Sequence, residues 1–421
     1  MTRAWVIHPD LRSDRDRRDA DSALAEAVSL ALALPDIEVA GSGVVPVRDP
    51  HPGTLFGSGK IAELKALIQE AEVELVLVDG PVTPVQQRNL EKEWKVKLLD
   101  RTGLILEIFS DRAATREGVL QVEMAALSYQ RTRLVRAWTH LERQRGGLGF
   151  VGGPGETQIE ADRRAIDEQL VRLRRQLDRV VKTRDLHRKA RAKVPYPIVA
   201  LVGYTNAGKS TLFNRLTGAE VMAKDMLFAT LDPTMRAVTL PTGIDVILSD
   251  TVGFISDLPT ELVAAFRATL EEVLAADIVV HVRDISHAAT EEQAEDVRTI
   301  LSSLGITEET PQVELWNKID RLEPEMREAA TARASRDEGI FAVSAVTGEG
   351  LDVFLEALTD RLQGDTVEEE LVLAFYEGRA RAWLYDKGLV QDESQSDDGT
   401  VMRVRWTAKD RAQFEMIRAA T

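Results

Sequence analysis

The chain has 421 residues, 44% hydrophobic and 29% charged, with a formal net charge of −16 and no cysteine. That length suits about two to four domains, each able to bury a core. The lack of cysteine excludes disulfides and thiolate metal sites. The 6 histidines form no ligand pair, and no stretch reaches the roughly 20 apolar residues that a membrane span needs.

The amino terminus, MTRAWVIHPDLRSDRDRR, has no apolar run of signal-peptide type, so a cytoplasmic location is expected. SALAEAVSLALALP carries Glu26 and ends at Pro35, and reads as an amphipathic or buried helix. Up to residue 110, strand-like and helix-like pieces alternate. AWVIHP, VELVLVD and KVKLLD are apolar, β-branched runs, while GSGKIAELKALIQEAE and TPVQQRNLEKEW have helical spacing. The pattern predicts a small α/β domain over 1–112. GSGK at 57–60 lacks the full spacing of a phosphate loop.

From about Thr115 the period changes. Leu120, Met124, Leu127, Leu134, Trp138 and Leu141 recur at steps of three and four, with Arg131 at the position that breaks the series. Ile159, Ile166, Leu170, Leu173, Leu177 and Val180 form a second stripe. Two such helices joined by a short connection predict an antiparallel hairpin over 113–194. Its tip, RQRGGLGFVGGPGETQIEADRR, packs 6 glycines into ten positions. Residues 131–193 hold 17 Lys and Arg against 8 Asp and Glu, a net +9, so the rest of the chain carries −25. One strongly basic segment therefore lies within an acidic protein.

After KVPYPIVALVG, strands and helices alternate again to about residue 364. IVALVG, IDVILSD, DIVVHVRD, QVELWN and GIFAVSA are five apolar strands, which predict a mostly parallel, doubly wound sheet over 195–364. The acidic GDTVEEE then reads as a linker, followed by a small α/β cap over 365–421, built as strand, helix, loop, strand, helix.

The chemistry is carried by the third segment. GYTNAGKS, comprising Gly203, Tyr204, Thr205, Asn206, Ala207, Gly208, Lys209 and Ser210, fits the G-x-x-x-x-G-K-[ST] pattern between a strand and a helix. Small residues let such a loop wrap closely, so that backbone N–H groups and the helix amino terminus face phosphate oxygens. Lys209 is placed to reach the β- and γ-phosphates, and Ser210 to ligate Mg2+. DTVG, formed by Asp250, Thr251, Val252 and Gly253, follows a strand. Asp250 would hold the metal through water and Gly253 would offer its N–H to the γ-phosphate. NKID, formed by Asn317, Lys318, Ile319 and Asp320, supplies a carboxylate for guanine N1 and N2, which selects GTP over ATP. SAV, formed by Ser344, Ala345 and Val346, fits a loop that meets guanine O6 through a backbone N–H. Between them LFATLDPT places Phe228, Ala229, Thr230, Leu231 and Asp232 around the nucleotide, with Thr230 as a further metal ligand and sensor of the γ-phosphate. Lys209, Thr230 and Gly253 are the candidate catalytic residues.

These motifs, with FATLD, DTVGF and the upstream GGLGFVGGPGETQIEADRR, resemble the HflX family, bacterial GTPases of the translation-factor-related class. The resemblance covers about residues 1–365 and is weaker beyond. It implies an amino-terminal α/β domain, a helical linker and a P-loop GTPase domain, ahead of the small C-terminal α+β domain. It also implies GTP as substrate with Mg2+ and a monomer that binds the 50S ribosomal subunit and its 23S rRNA. Such a factor dissociates ribosomes under stress, notably heat, with no membrane span. A GTP-gated rRNA-binding factor for large-subunit assembly or silencing, without splitting, is the other reading. Where Ras-like GTPases carry a water-orienting glutamine after DTVG, this chain has Phe254. Phenylalanine neither orients nor deprotonates water, so hydrolysis alone is expected to be slow and partner-stimulated.

The first half of the glycine tract, GLGFVG, also spells a dinucleotide fingerprint, but it follows a helix rather than a strand. Glycines permit close approach to another polymer. Arg143, Arg145, Arg163 and Arg164 flank the tract, and Leu148, Phe150 and Val151 lie within it. The expected role is an RNA-probing tip at which Phe150 stacks on an unpaired base.

Overall fold

The computed structural model describes residues 1–12, 18–144, 154–191, 196–219, 227–228, 234–241, 243–256, 273–306, 310–363, 366–374, 376–396 and 399–419. The glycine tip and Ala229–Asp232 lie outside these residues, as do the side chains of Leu134, Trp138, Leu141, Arg143 and Ile159. The chain forms two compact units. One comprises 1–238 with 245–351, and the other comprises 239–244 with 352–421.

The first unit opens with β1 (Thr2–Leu11), α1 (Ala20–Leu32), β2 (Ile37–Val47), α2 (Ser58–Glu70), β3 (Leu75–Val78), α3 (Pro84–Trp94), β4 (Lys97–Asp100) and α4 (Arg101–Arg112). The four strands pair in the order β2-β1-β3-β4, all parallel. Local chemistry sets the helix starts. Asp19 caps α1 through the Ser22 N–H, and Thr83 and Gln86 form a reciprocal capping box on α3 with Pro84 in its first turn. Asp100 ends β4 and caps α4 through the Gly103 N–H. Strand alternation divides the core. Ile7, Val76 and Val78 join Phe56, Leu90 and Trp94 on one face, while Val6 and Leu77 point to the other with Ile105 and Phe109.

Helices α5 (Arg116–Gln144) and α6 (Pro154–Arg191) follow and pack on each other, with Arg131 ion-paired to Asp167. Leu173 of the expected α6 stripe is buried. On α5 a second face, Val122, Ala125 and Tyr129, joins the core beside α4, and the Tyr129 hydroxyl donates to Asp100 at 2.5 Å.

The sheet carrying the phosphate-loop motif contains β5 (Ile198–Val202), β6 (Thr234–Thr239), β7 (Asp245–Asp250), β8 (Ile278–Asp284), β9 (Gln312–Asn317) and β10 (Ile340–Ala342) in the order β10-β9-β8-β5-β7-β6. Neighbours from β10 through β7 are parallel. Its described helices include α7 (Lys209–Thr217), α8 (Thr290–Leu304) and α9 (Pro324–Ala334). One apolar cluster runs through both parallel sheets, joining Val6, Ile105 and Phe109 to Ala200, Val202, Phe254, Val279 and Val297.

The second unit holds α10 (Leu351–Gln363) from Asp352 onward, β11 (Thr366–Leu373), α11 (Gly378–Asp386), β12 (Val390–Ser396), β13 (Gly399–Thr407) and α12 (Ala408–Ala419). Its antiparallel sheet, ordered β11-β13-β12, shields Leu373, Leu384, Met402, Val404, Trp406 and Phe414. The TVEEE of the expected linker is therefore strand. Leu371 and Leu373 are buried, Glu369 accepts the Trp406 indole N–H at 3.2 Å, and Val367, Glu368 and Glu370 are exposed. Period-2 alternation outweighs the acidic composition. Elements β2, α4, β6 and β12 also go beyond those the sequence pattern predicts. Glycine, proline or charged residues interrupt the apolar pattern of the strands, and nothing but β4 separates α4 from α3. No helix among the described residues is long and apolar enough to cross a membrane.

Candidate nucleotide-binding site

The phosphate-loop motif turns at the carboxyl end of β5. Gly203 has φ 151°, and a Cβ there would meet the Val282 carbonyl oxygen at 2.2 Å. Gly208 has φ 96°, and a Cβ there would sit 2.2 Å from Asn317 Nδ2. Both positions thus demand glycine on two counts. Asn206 takes the left-handed conformation that a short polar side chain tolerates. The turn delivers the amino terminus of α7, whose first N–H groups can receive an anion.

The Lys209 ammonium lies buried in the turn and donates to the carbonyls of Gly203 at 3.1 Å and Tyr204 at 2.8 Å. Burial pushes its pKa down to about 8, with Lys318 adding to the shift and Asp250 opposing it. Ser210 Oγ donates to Asp250 Oδ2 at 2.7 Å, and this pair forms a hard-oxygen donor set at the helix start.

Strand β7 runs parallel to β5 and brings Asp250 alongside the loop. Thr251 turns its hydroxyl inward to the Leu201 carbonyl at 2.6 Å. The Thr205 N–H donates to the Phe254 carbonyl at 2.7 Å, and the Phe254 N–H to the Gly203 carbonyl at 3.1 Å, fastening DTVGF to the loop. Gly253 lies between these bonds. A Cβ there would meet Thr205 Cα at 2.9 Å and Lys209 Nζ at 3.1 Å.

The other two motifs close the rim. Asn317 Nδ2 donates to the Ala207 carbonyl at 2.8 Å, and its Oδ1 accepts the Ala345 N–H at 2.9 Å, so one buried amide joins the phosphate loop to SAV. Lys318 donates to the Asn206 carbonyl at 2.6 Å and to Asp284 Oδ2 at 2.7 Å. Ile319 is buried, Asp320 is exposed, and the Ser344 hydroxyl accepts the Thr347 N–H at 3.0 Å. Val346 is 67% exposed. The structure thus brings together Gly203–Ser210, Asp250–Gly253, Asn317–Asp320 and Ser344–Val346.

Tyr204, Ser256 and Phe228, within these segments or beside them, instead meet groups of helices α1 and α4, a role their spacing did not reveal. The Tyr204 hydroxyl bonds to Glu26 of α1 and accepts the Ser256 N–H at 2.9 Å. Arg101, at the start of α4, donates to Asp79 Oδ1 at 2.5 Å, Glu26 Oε1 at 2.6 Å and the Ser256 carbonyl at 2.8 Å. Phe228 lies edge to face on Phe109, ring centres 4.6 Å apart at 77°. Burial opposes the charge on Arg101, but Asp79 and Glu26 more than restore it and raise its pKa. Burial, then Glu26, likewise raises that of Tyr204. No local signal marks Arg101, Glu26 or Ser256, because their partners lie far along the chain.

A parallel sheet that gathers four such loops at the carboxyl ends of its strands is the fold of the P-loop GTPases. Residues 198–318 match the family described as "50S ribosome-binding GTPase". Residues 21–110 match "GTP-binding GTPase N-terminal", 112–191 "GTP-binding GTPase Middle Region" and 329–418 "HflX C-terminal domain". Among curated relatives, the GTPase HflX of Magnetococcus marinus is 48% identical over 92% of this chain and 89% of its own. That of Escherichia coli is 43% identical over 94% and 92%. The crystal structure of SsGBP with GDP shares the fold at a TM-score of 0.50 and 21% identity, covering 85% of this chain and 98% of that one. The chain belongs to the HflX family of GTPases.

Replacing Arg101 by alanine would take the guanidinium from buried Asp79, which keeps His8, and from half-buried Glu26, which keeps Arg18. Equilibrium urea unfolding should show a loss of about 3–5 kcal/mol, and a loss below about 1 kcal/mol would refute that role.

Proposed function

We propose that this protein hydrolyses GTP on the large (50S) ribosomal subunit and dissociates or rescues ribosomes under heat or other stress, with hydrolysis resetting the factor. Four working parts serve that cycle: 1–112, 113–194, 195–364 and 365–421. The observation that carries the nucleotide reading is the Asn317 amide, which ties the phosphate loop to the SAV loop and so holds phosphate and base sites in one frame. The ribosomal reading is supported by the family description of residues 198–318 and by the basic helical segment.

In this reading the backbone of Gly203–Ser210 cradles the phosphates and Lys209 exchanges its carbonyl partners for the β- and γ-oxygens. Tyr204, Thr205, Asn206, Ala207 and Gly208 contribute main chain, and Asp320 reads guanine N1 and N2. Ser210 and Asp250 suit Mg2+, which asks for few protein oxygens and keeps water and substrate phosphate as its other ligands. When bound, that ion would neutralise charge developing on the phosphates. Gly253 would present its N–H to the γ-phosphate, and Thr230, beside Ala229, Leu231 and Asp232 in the sequence, would sense the same group and the metal. The Phe254 side chain is 1% exposed and packs into the core, so it offers nothing to a water nucleophile. A catalytic group or ordering contact then has to come from the ribosome.

The depressed pKa of Lys209 gives a pH signature. With a value of about 8 against 10.5 normally, the unfolded chain binds more protons between these limits, so stability of the ligand-free protein rises with pH across that window. Phosphate favours the charged ammonium and raises the pKa again. Calorimetry in buffers of different ionisation enthalpy should therefore show uptake of about half a proton on GDP binding at pH 8, falling towards zero at pH 6.5. Equal uptake at both would exclude Lys209 as the phosphate ligand.

GTP turnover with and without purified large subunits tests the central reading, and stimulation of at least about tenfold is expected. Failure to retain GTP or GDP in magnesium buffer, or no response to subunits, would overturn it. Sedimentation of assembled ribosomes with the protein and GTP should release free subunits, whereas co-migration with large subunits alone would refute splitting. Neutralising Arg143, Arg145, Arg163 and Arg164 together should weaken ribosome binding and lower the slope of log affinity against log salt by up to about 3. Unchanged affinity would remove the tip from the interface.

A further inference from the structure

Arg215, in the last turn of α7, sends its guanidinium across to the SAV loop. Nη1 donates to the Val346 carbonyl at 2.7 Å and, more weakly, to that of Ala345 at 3.4 Å, while Nη2 donates to the Thr347 carbonyl at 2.8 Å. Gly348 is shaped to this fork. Its φ is 91°, and a Cβ there would lie 2.3 Å from Arg215 Nη2 and 2.9 Å from Cζ. A planar guanidinium can engage several carbonyls at once, which a lysine ammonium on a flexible stem does less well.

In a trans peptide the carbonyl of one residue and the N–H of the next lie in one plane and point in opposite directions within it. Gathering the carbonyls of Ala345 and Val346 on Arg215 therefore turns the N–H groups of Val346 and Thr347 the other way. The Thr347 N–H is taken by Ser344 Oγ, and that of Ala345 by Asn317 Oδ1. The Val346 N–H has no partner among the described residues; the fork meets the carbonyl of its own peptide, Ala345, at 3.4 Å and holds the next two peptides by the shorter bonds to Val346 and Thr347. Because Arg215 belongs to the helix whose amino terminus forms the phosphate loop, the fork also ties the SAV loop to that helix.

We infer that Arg215 is a positioning residue for guanine recognition. By clamping the carbonyls of 345–347 it aims a backbone N–H at the purine 6-oxo group and registers that donor against the phosphate loop. This rests on the guanine-site reading above. Arg215 spends its donors on the carbonyls of 345–347, so its loss falls on binding and base choice rather than on the hydrolytic step.

The test compares GDP with 2,6-diaminopurine riboside diphosphate, which keeps the 2-amino group but carries an amine in place of the 6-oxo oxygen. The unmodified chain should prefer GDP. In Arg215→Ala the ratio of the two dissociation constants should fall by about five- to tenfold, mainly through weaker GDP binding. KM for GTP should rise by the same factor while kcat at saturating GTP changes by less than about threefold. Arg215→Lys should be intermediate, and Gly348→Ala, which displaces the fork from the other side, should reproduce the loss of discrimination. An unchanged ratio in Arg215→Ala and Gly348→Ala, both folded by circular dichroism, would overturn the role of Arg215. A fall in kcat with KM and the ratio unmoved would also overturn it. Failure of the unmodified chain to prefer GDP would instead defeat the guanine-site reading itself.

Discussion

Arg101 is a positive charge sealed between two carboxylates and a carbonyl, and much of the first unit is arranged around keeping it so. Asp79 closes the carboxyl end of β3, Glu26 comes from α1, and the Ser256 carbonyl follows the DTVGF segment. Stripping water from such an ion costs several kcal/mol, which is recovered only if every partner stays in place. The interaction stabilises little by its presence, but it penalises any arrangement that pulls DTVGF away from the amino-terminal sheet.

That constraint has a direct bearing on the nucleotide site. Tyr204 lies within the phosphate loop and Ser256 lies 3 residues beyond Gly253, and both join the buried polar cluster containing Glu26 and Arg101. Phe228, which immediately precedes Ala229 and Thr230, rests on Phe109 of α4, the helix that begins with Arg101. Helices α1 and α4 therefore touch the phosphate loop and the residues beside DTVGF and FATLD through Glu26, Arg101 and Phe109. In the proposed cycle, movement of those motifs would be felt in the amino-terminal sheet, because a close-packed interior transmits strain rather than absorbing it.

Glycine plays the complementary part. At 203, 208 and 253 the backbone of one segment comes so near another that no side chain fits, and at the first two the left-handed φ adds a second reason. Close approach lets N–H groups stand in a row around the turn, where side chains would otherwise hold them apart. Nearby, Lys209 is only weakly committed to its charge, since its carbonyl partners are neutral and burial works against the ammonium.

The short-range rules were legible without coordinates. Apolar runs marked most central strands, the G-x-x-x-x-G-K-[ST] spacing located the phosphate loop, and the order of DTVG, NKID and SAV, each after a strand, made the class of the third segment readable. Each depends on neighbours in the chain, through side-chain alternation, backbone conformation and hydrogen-bond reach. Strands β2 and β12 were hidden because they carry glycine, proline or polar residues, and β11 because its glutamates imitate a linker. Arg101 and Arg215 were invisible for a different reason: each completes its coordination with groups remote in sequence, at separations of 75 and about 130 residues for Glu26 and the SAV loop. Sequence by itself determined where the backbone could turn, cap and cradle phosphate. Only the tertiary structure decided which distant carboxylates and carbonyls would surround each buried or bridging cation, because that choice is made by the packing of whole sheets and helices and by the cost of leaving a charge without partners.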